Sequence, residues 1–308
     1  MITYDHINKN KRESILLISL FLIIITVLGF AFGQYYGNPN IVYFAVGFSI
    51  FSSLIAYYFS DSITLALSQA KEVDRQSNPE LYRLVENLCI AAGLPTPKIY
   101  IIDDTAPNAF ATGRDPEHAV VCFNTGILQK LEKTELEGVV AHELSHIGNY
   151  DIRVMTLVVV MMGVVTLLAD WMLRASFFGG RRKSNNNNGQ IGAIIALVGL
   201  VLAILSPIIA TLIKLAVSRK REFLADASGA LLTRYPEGLA RALEKISVDR
   251  EPLEAANKAT AHMYIVNPFH EDSVMHANTT GGRGLFSSLF NTHPPIEERV
   301  KRLREMNL

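Results

Sequence analysis

The chain has 308 residues with 29 Lys plus Arg against 29 Asp plus Glu, a formal net charge of +0, so no global field exists to gather nucleic acid and no such partner is expected. Hydrophobic residues make up 49% and charged residues only 19%, with a mean hydropathy of +0.23, which is unlike a water-soluble enzyme of this length. Cys89 and Cys122 lack CxxC spacing and fall in segments that read as a helix and a buried strand, so they suit packing in a reducing compartment rather than a disulfide framework.

In chain order, the first feature is an uninterrupted apolar run from Ile15 to Phe32. As a helix its 18 residues reach ~27 Å, close to the hydrocarbon thickness of a bilayer. It ends at Gln34, Tyr35 and Tyr36 rather than at small residues, which favours a membrane anchor over a cleaved signal peptide. A second run, Ile41 to Phe59, follows the polar turn Gly37-Asn38-Pro39-Asn40, and the pair reads as a transmembrane hairpin. Lys9, Lys11 and Arg12 precede it while the turn carries no Lys or Arg, so the N-terminus and everything after Asp61 are placed in the cytoplasm.

Residues 62 to 153 carry charge at helical spacing, with breakers at Asn78-Pro79 and Gly93-Leu94-Pro95, as a water-exposed unit does. Lys98 to Ile102 and His118 to Phe123 read as strands, with Asn108 to Gly113 between them as a third extended piece or a loop. Leu136 to Ile147 reads as a helix whose start is marked by Glu132 and Glu135. Val154 to Ala169 and Ile191 to Ile213 are apolar again, separated by the Asn-rich stretch Gly179 to Gln190. Arg181, Arg182 and Lys183 oppose the positive-inside rule if both runs span, so a re-entrant hairpin stands as the alternative to the two spans expected here. Arg219 to Leu308 is polar and helical, with helix starts at Tyr235-Pro236-Glu237 and Pro294-Pro295 and a mobile loop expected over Asn267 to Gly284.

The chemistry is carried by His142-Glu143-Leu144-Ser145-His146, an HExxH pattern. Two histidines four apart share one helix face, where both imidazoles can reach a zinc ion at ~2.0–2.1 Å, and the intervening glutamate points beside the open coordination position. Leu136, Val139, Val140, Leu144 and Ile147 fall on the neighbouring faces, as in a helix buried on one side. A catalytic zinc takes a third protein ligand. Glu222 and Asp226, at i and i+4 on an otherwise apolar helix, let the first bind the metal while the second hydrogen-bonds a ligand imidazole, and spacing alone leaves Asp226 or a later histidine as alternatives to Glu222 for the third ligand. A carboxylate in the position of Glu143 is a general base for peptide hydrolysis, taking a proton from water and returning it to the leaving amine. His293, just ahead of Pro294, is a candidate donor to the tetrahedral oxyanion, with helix capping beside Thr292 as its other reading.

Asn108 to Gly113, Glu135-Leu136-Glu137 leading into the HExxH segment and Asp151, Arg221 to Asp226, and Thr292 to Pro295 stand in an order and spacing that resemble the HtpX membrane metalloproteases over nearly the whole chain. The resemblance implies a mainly α, gluzincin-like fold with a small β-sheet and about four transmembrane helices. It implies one zinc ion per subunit held by His142, His146 and Glu222, with Glu143 as general base. It assigns Asn108, Ala109, Phe110, Ala111, Thr112 and Gly113 to an exposed strand edge that holds substrate backbone, although Gly113 and Asn108 also suit a tight turn. It further implies quality control of misfolded or damaged membrane proteins under stress, with a cytoplasmic catalytic unit on the inner membrane. A more distant similarity is to the CAAX prenyl-protein endopeptidases, which have more spans.

The expected organisation is a cytoplasmic tail (1–13), a transmembrane hairpin (14–60), a first catalytic part (61–153), a second transmembrane or re-entrant hairpin (154–217) and a second catalytic part (218–308). Ligands on either side of the second hairpin must share one metal, so the chain between them crosses the bilayer an even number of times. Two rivals remain. An intramembrane protease is disfavoured by Lys130, Glu132, Lys133, Glu135 and Glu137 just before the motif. A scaffold with a closed four-ligand zinc site would need a further histidine such as His262, His270 or His276.

Overall fold

The computed structural model describes residues 2–179, 219–254, 260–266 and 294–306. Two antiparallel apolar helices, α1 (Ile2–Tyr36) and α2 (Asn40–Tyr58), form the expected hairpin, and a short α3 (Ser60–Leu67) leads out of it. These two contain the stretches long and apolar enough to cross a membrane among the described residues, Asp5–Gln34 and Asn40–Tyr58. Ile15, Leu16, Ile23, Val27 and Phe30 on α1 and Phe44, Ile50, Phe51 and Leu54 on α2 are exposed, the opposite of a water-soluble helix pair and what a lipid-facing belt requires. The inward face of α2 is small and hydroxylated, with Ala45, Ser49, Ser52, Ser53 and Ala56 buried, and Gly29 of α1 sits directly on Ala45. Residues 2–13, expected as a tail, are helical and continuous with the anchor, and Asn10 is already buried there.

A 29-residue helix, α7 (Asp151–Gly179), packs against this hairpin, its Val154, Leu157, Val158, Met161 and Val165 sharing a core with Leu17, Phe21 and Ile25. It starts three residues earlier than the apolar run suggested, because its first turn belongs to the functional site. The apolar run from Ile191 to Ile213, the Asn-rich stretch, the segment Asn267 to Gly284, Thr292 and His293 lie outside the described residues. Lys11 lies over the ring of Tyr150, Arg153 over Tyr57 and Tyr150, and Arg114 over Tyr58, a girdle of cations and tyrosines at one end of the bundle. Such amphipathic side chains gather at a membrane–water boundary.

Beyond that girdle the chain forms a water-exposed unit. It begins with β1 (Lys71–Glu72) and with α4 (Pro79–Ala92), capped by the Asn78 side chain and ended by Gly93 at φ 67°. Next come β2 (Lys98–Ile102), β3 (Ala109–Gly113), β4 (Ala119–Asn124) and α5 (Thr125–Lys130). The sheet order is β1-β2-β4-β3, with β2 and β4 parallel and both outer pairs antiparallel. The two-residue β1 carries no apolar alternation and so left no sequence signal. On the sheet lies α6 (Lys133–Gly148); α8 (Arg219–Thr233) and α9 (Pro236–Val248) pack on α6, and α10 (Ile296–Arg304) packs on α8 and α9, around a core that includes Val121, Phe123, Val139, Leu144, Leu239, Leu243, Val300 and Leu303. The start of α6 is fixed by a capping box, in which Glu135 accepts from the Glu132 backbone and is itself held by Lys245 at 2.7 Å. At its end Asn149 and Tyr150 bend the chain by 81° into α7, with Tyr150 at φ 62°.

Two glycines set how closely the helices approach. A Cβ on Gly138 would stand 2.6 Å from the Leu239 nitrogen, and one on Gly229 would stand 2.9 Å from the His142 nitrogen. Backbone cannot yield as a side-chain tip can. Gly138→Ala and Gly229→Ala should therefore each destabilise the protein by ~1–3 kcal/mol, whereas Gly148→Ala, which would meet Leu94 at an ordinary 3.6 Å, should be neutral or slightly stabilising. Thermal unfolding of the full chain in detergent checks the contrast.

Candidate metal centre

The close approach at Gly229 lays α8 across the HExxH turn of α6, so that Glu222 enters between the two imidazoles. His142 Nε2 and His146 Nε2 are 3.2 Å apart, and they stand 3.9 and 3.6 Å from the nearer Glu222 oxygens. Ligands ~2.05 Å from a tetrahedral ion are ~3.3 Å from one another, so these three side chains have the spacing of a metal site with one position left open. His142 is 1% exposed, His146 4% and Glu222 1%, which leaves little bulk water to compete for the ligand atoms.

Each imidazole is aimed by a carboxylate behind it. Nδ1 of His142 lies 2.9 Å from Asp226, and Nδ1 of His146 lies 3.0 Å from Asp151. A proton on Nδ1 turned to a carboxylate leaves the lone pair of Nε2 for a metal. Asp226 is in turn gripped by both arms of the Arg299 guanidinium, at 2.7 and 2.8 Å. Arg299 is fully buried, donates also to the Ile265 carbonyl at 3.0 Å, and comes within 3.6 Å of Glu222. Glu143 is buried beside the ligands, with the backbone of Ala111 near enough to favour its charged form.

The electrostatics follow from this packing. Burial pushes the Glu143 carboxyl up to about 7, with Glu222 adding to the effect. For Asp226 burial works against the charge, but Arg299 and His142 override it and hold the carboxyl at about 2. Burial pulls His142 below its ordinary value. His146 is also opposed by burial, yet Asp151 and Glu222 together raise it to about 9.

The segment 108–113 lies beside this cluster as an outer strand whose first residues are covered. β3 is the outermost strand, and Ala111 faces Glu143, yet the carbonyl of Ala109 already accepts from Ile265 at 3.0 Å. Asn108 is spent on Val266, to which it donates at 2.9 Å, and Phe110 is a core residue packed edge-to-face on Tyr264 with centroids 5.0 Å apart. Thr112 pairs with Thr156 of α7 at 3.1 Å, and Gly113 holds φ 135°. The cover arises because Thr260–Val266, a stretch with no regular pattern, returns to lie along the strand. His262 sits in that stretch with Nε2 3.2 Å from the Met155 carbonyl, away from the ligand cluster. Asp151 was noted in the sequence with the HExxH segment but given no role, and Arg299 was not singled out as part of the site. Arg299 shares a charged helix with Arg302 and Arg304, and nothing local distinguishes it from them.

Comparison with known proteins settles the family. The model of peptidase family M48 matches residues 75–307. The chain belongs to peptidase family M48. It is 45% identical over 304 residues to a protease HtpX homolog of Dictyoglomus turgidum, covering 98% of this chain and 94% of that relative. It is 44% identical over 286 residues to a protease HtpX homolog of Thermococcus kodakarensis, with 92% of each covered. The crystal structure of S. mikatae Ste24p superposes with a TM-score of 0.51 at 20% identity, over 94% of this chain, and so shares the fold. This chain spans 65% of the length of that protein. The M48 chain described here is accordingly a membrane-associated metalloprotease whose His142, His146 and Glu222 form a cluster able to bind a metal ion.

Because metal needs a neutral imidazole and metal-free His146 stays protonated up to about pH 9, binding must expel that proton. Apparent zinc affinity should rise ~tenfold per pH unit between about pH 7 and 9 and level off above. Competition with a chromophoric chelator measures this, and a flat profile would contradict the arrangement around His146.

Proposed function

We propose that this M48 protease is a zinc endopeptidase of the cytoplasmic face of the inner membrane, cutting misfolded or damaged membrane proteins during stress. The observation that carries the reading is the distance from the ligand cluster to the membrane helices. His146 bonds Asp151 at the start of α7, Asp151 accepts from Asn10 of α1 at 2.7 Å, and the apolar run of α1 begins at Ile15, little more than one helical turn further on. A segment leaving the bilayer beside these helices meets the site at once. Lys9, Lys11 and Arg12 on that side support a cytoplasmic placement.

His142, His146 and Glu222 would hold one zinc per subunit, which would supply Lewis acidity to water and to the scissile carbonyl. Glu143, with its carboxyl near neutrality, takes the proton of the attacking water and hands it to the leaving amine. Asp226 and Asp151 keep both imidazoles in the ligating tautomer, and Arg299 keeps Asp226 charged. Substrate main chain pairs along the Ala111 to Gly113 part of β3, a mode that reads backbone rather than sequence and gives the loose specificity that clearance of damaged proteins needs. His293 remains the candidate oxyanion donor.

Purified wild type and Glu143→Gln should bind equal zinc, while the variant hydrolyses an unfolded protein ~10²–10⁴-fold more slowly. Equal rates would remove Glu143 from the mechanism. In the same preparations Glu222→Ala should lose the metal at zinc concentrations that keep wild type loaded, and Asp226→Ala should weaken binding only ~10–100-fold. The reverse order would exchange the roles of the two carboxylates.

A further inference from the structure

We infer that Asn10, on the cytoplasmic extension of the first membrane helix, is a positioning residue of the metal centre. Its side chain is 3% exposed and fully engaged. The amide nitrogen donates to Asp151 Oδ1 at 2.7 Å and to the Asn149 carbonyl at 2.8 Å, while its oxygen accepts from Arg221 Nη1 at 3.1 Å. The other oxygen of the same aspartate, Asp151 Oδ2, is the one that faces His146 Nδ1 at 3.0 Å. A carboxylate with one oxygen fixed by Asn10 cannot swing about its χ2 bond, so the imidazole it aims cannot turn either. Arg221 ties the arrangement further to α1, donating to Glu13 at 3.0 Å, and is the residue immediately before Glu222.

The choice of side chain supports the inference. Asparagine is a poor helix former, and an aliphatic residue would pack equally well at a buried position of an anchor. Only an amide offers two donors toward Asp151 and Asn149 together with an acceptor toward Arg221. An aspartate would set a second anion against Asp151, and a leucine would strip a buried carboxylate oxygen of its partner. The anchor is thereby part of the centre: α1 touches the corner between α6 and α7 as well as α8, the three helices whose relative placement defines the ligand geometry.

The inference rests on the metal-centre reading above, and its test separates the two. The full-length chain in detergent is titrated with zinc against a chromophoric chelator, and its Co(II) form is recorded by visible absorption as a report of ligand geometry. Asn10→Ala should weaken zinc binding ~10-fold and alter the cobalt bands. In an Asp151→Ala background the same substitution should change affinity less than ~2-fold, because Asn10 acts through Asp151. Leu17→Ala, a packing loss further along α1, should lower the melting temperature and leave affinity and cobalt bands unchanged. Equal losses in both backgrounds, an effect of Asn10→Ala below ~2-fold, or a Leu17→Ala effect as large as that of Asn10→Ala would overturn the role of Asn10. A wild type that binds no stoichiometric zinc, or that binds it undiminished after His142→Ala, would instead overturn the metal-centre reading on which this inference stands.

Discussion

Between α6 and α8 the imidazoles of His142 and His146, the carboxylates of Glu143, Glu222, Asp226 and Asp151, and the guanidinium of Arg299 are closed off from water together. An isolated ion in such surroundings costs several kcal/mol, so every member must be paired, and the pairing dictates the architecture. Arg299 arrives on the last described helix to neutralise Asp226, and Asn10 arrives on the first to steady Asp151. Elements from both ends of the chain are drawn to one point because the charges there admit no other satisfaction. The close helix contact at Gly229 belongs to the same constraint, since a carboxylate held one side chain further away would not reach both Nε2 atoms.

The backbone around the same cluster separates a polar unit from the apolar helices. The 81° bend after the HExxH helix turns α6 into the polar unit and α7 along α1, with the tyrosine and arginine girdle at the corner. The ligands therefore lie in the polar unit, consistent with the charges at Lys133, Glu135 and Glu137 that precede them. The anchor does more than tether. Its first turns are built into the protein interior, which is why residues that look like a loose polar tail are helical and partly buried.

Local pattern made much of this legible. Apolar runs of bilayer length, Asn78-Pro79 and Gly93 around one helix, and Glu132 with Glu135 ahead of another are signals whose causes lie within a few residues, and the elements stand where those signals fall. Strand Lys98–Ile102 could be read for the same reason. The two-residue β1 could not, because its pairing with β2 is a main-chain matter that leaves no apolar alternation. Segment 108–113 was legible as extended chain beside the chemistry, but not its partial cover by Ile265, a contact between residues more than 150 positions apart.

The sequence by itself determined the two histidines on one helix turn, the neighbouring glutamate and the pair of carboxylates four apart, because a helix fixes such spacings without help from the rest of the chain. The resemblance had named Glu222 as the third ligand; tertiary structure alone decided which arginine among several is buried against Asp226, and that Asn10 backs the aspartate behind His146. Those choices depend on how helices from distant parts of the chain are oriented when they meet, and orientation across a core is set by the packing of all the faces at once.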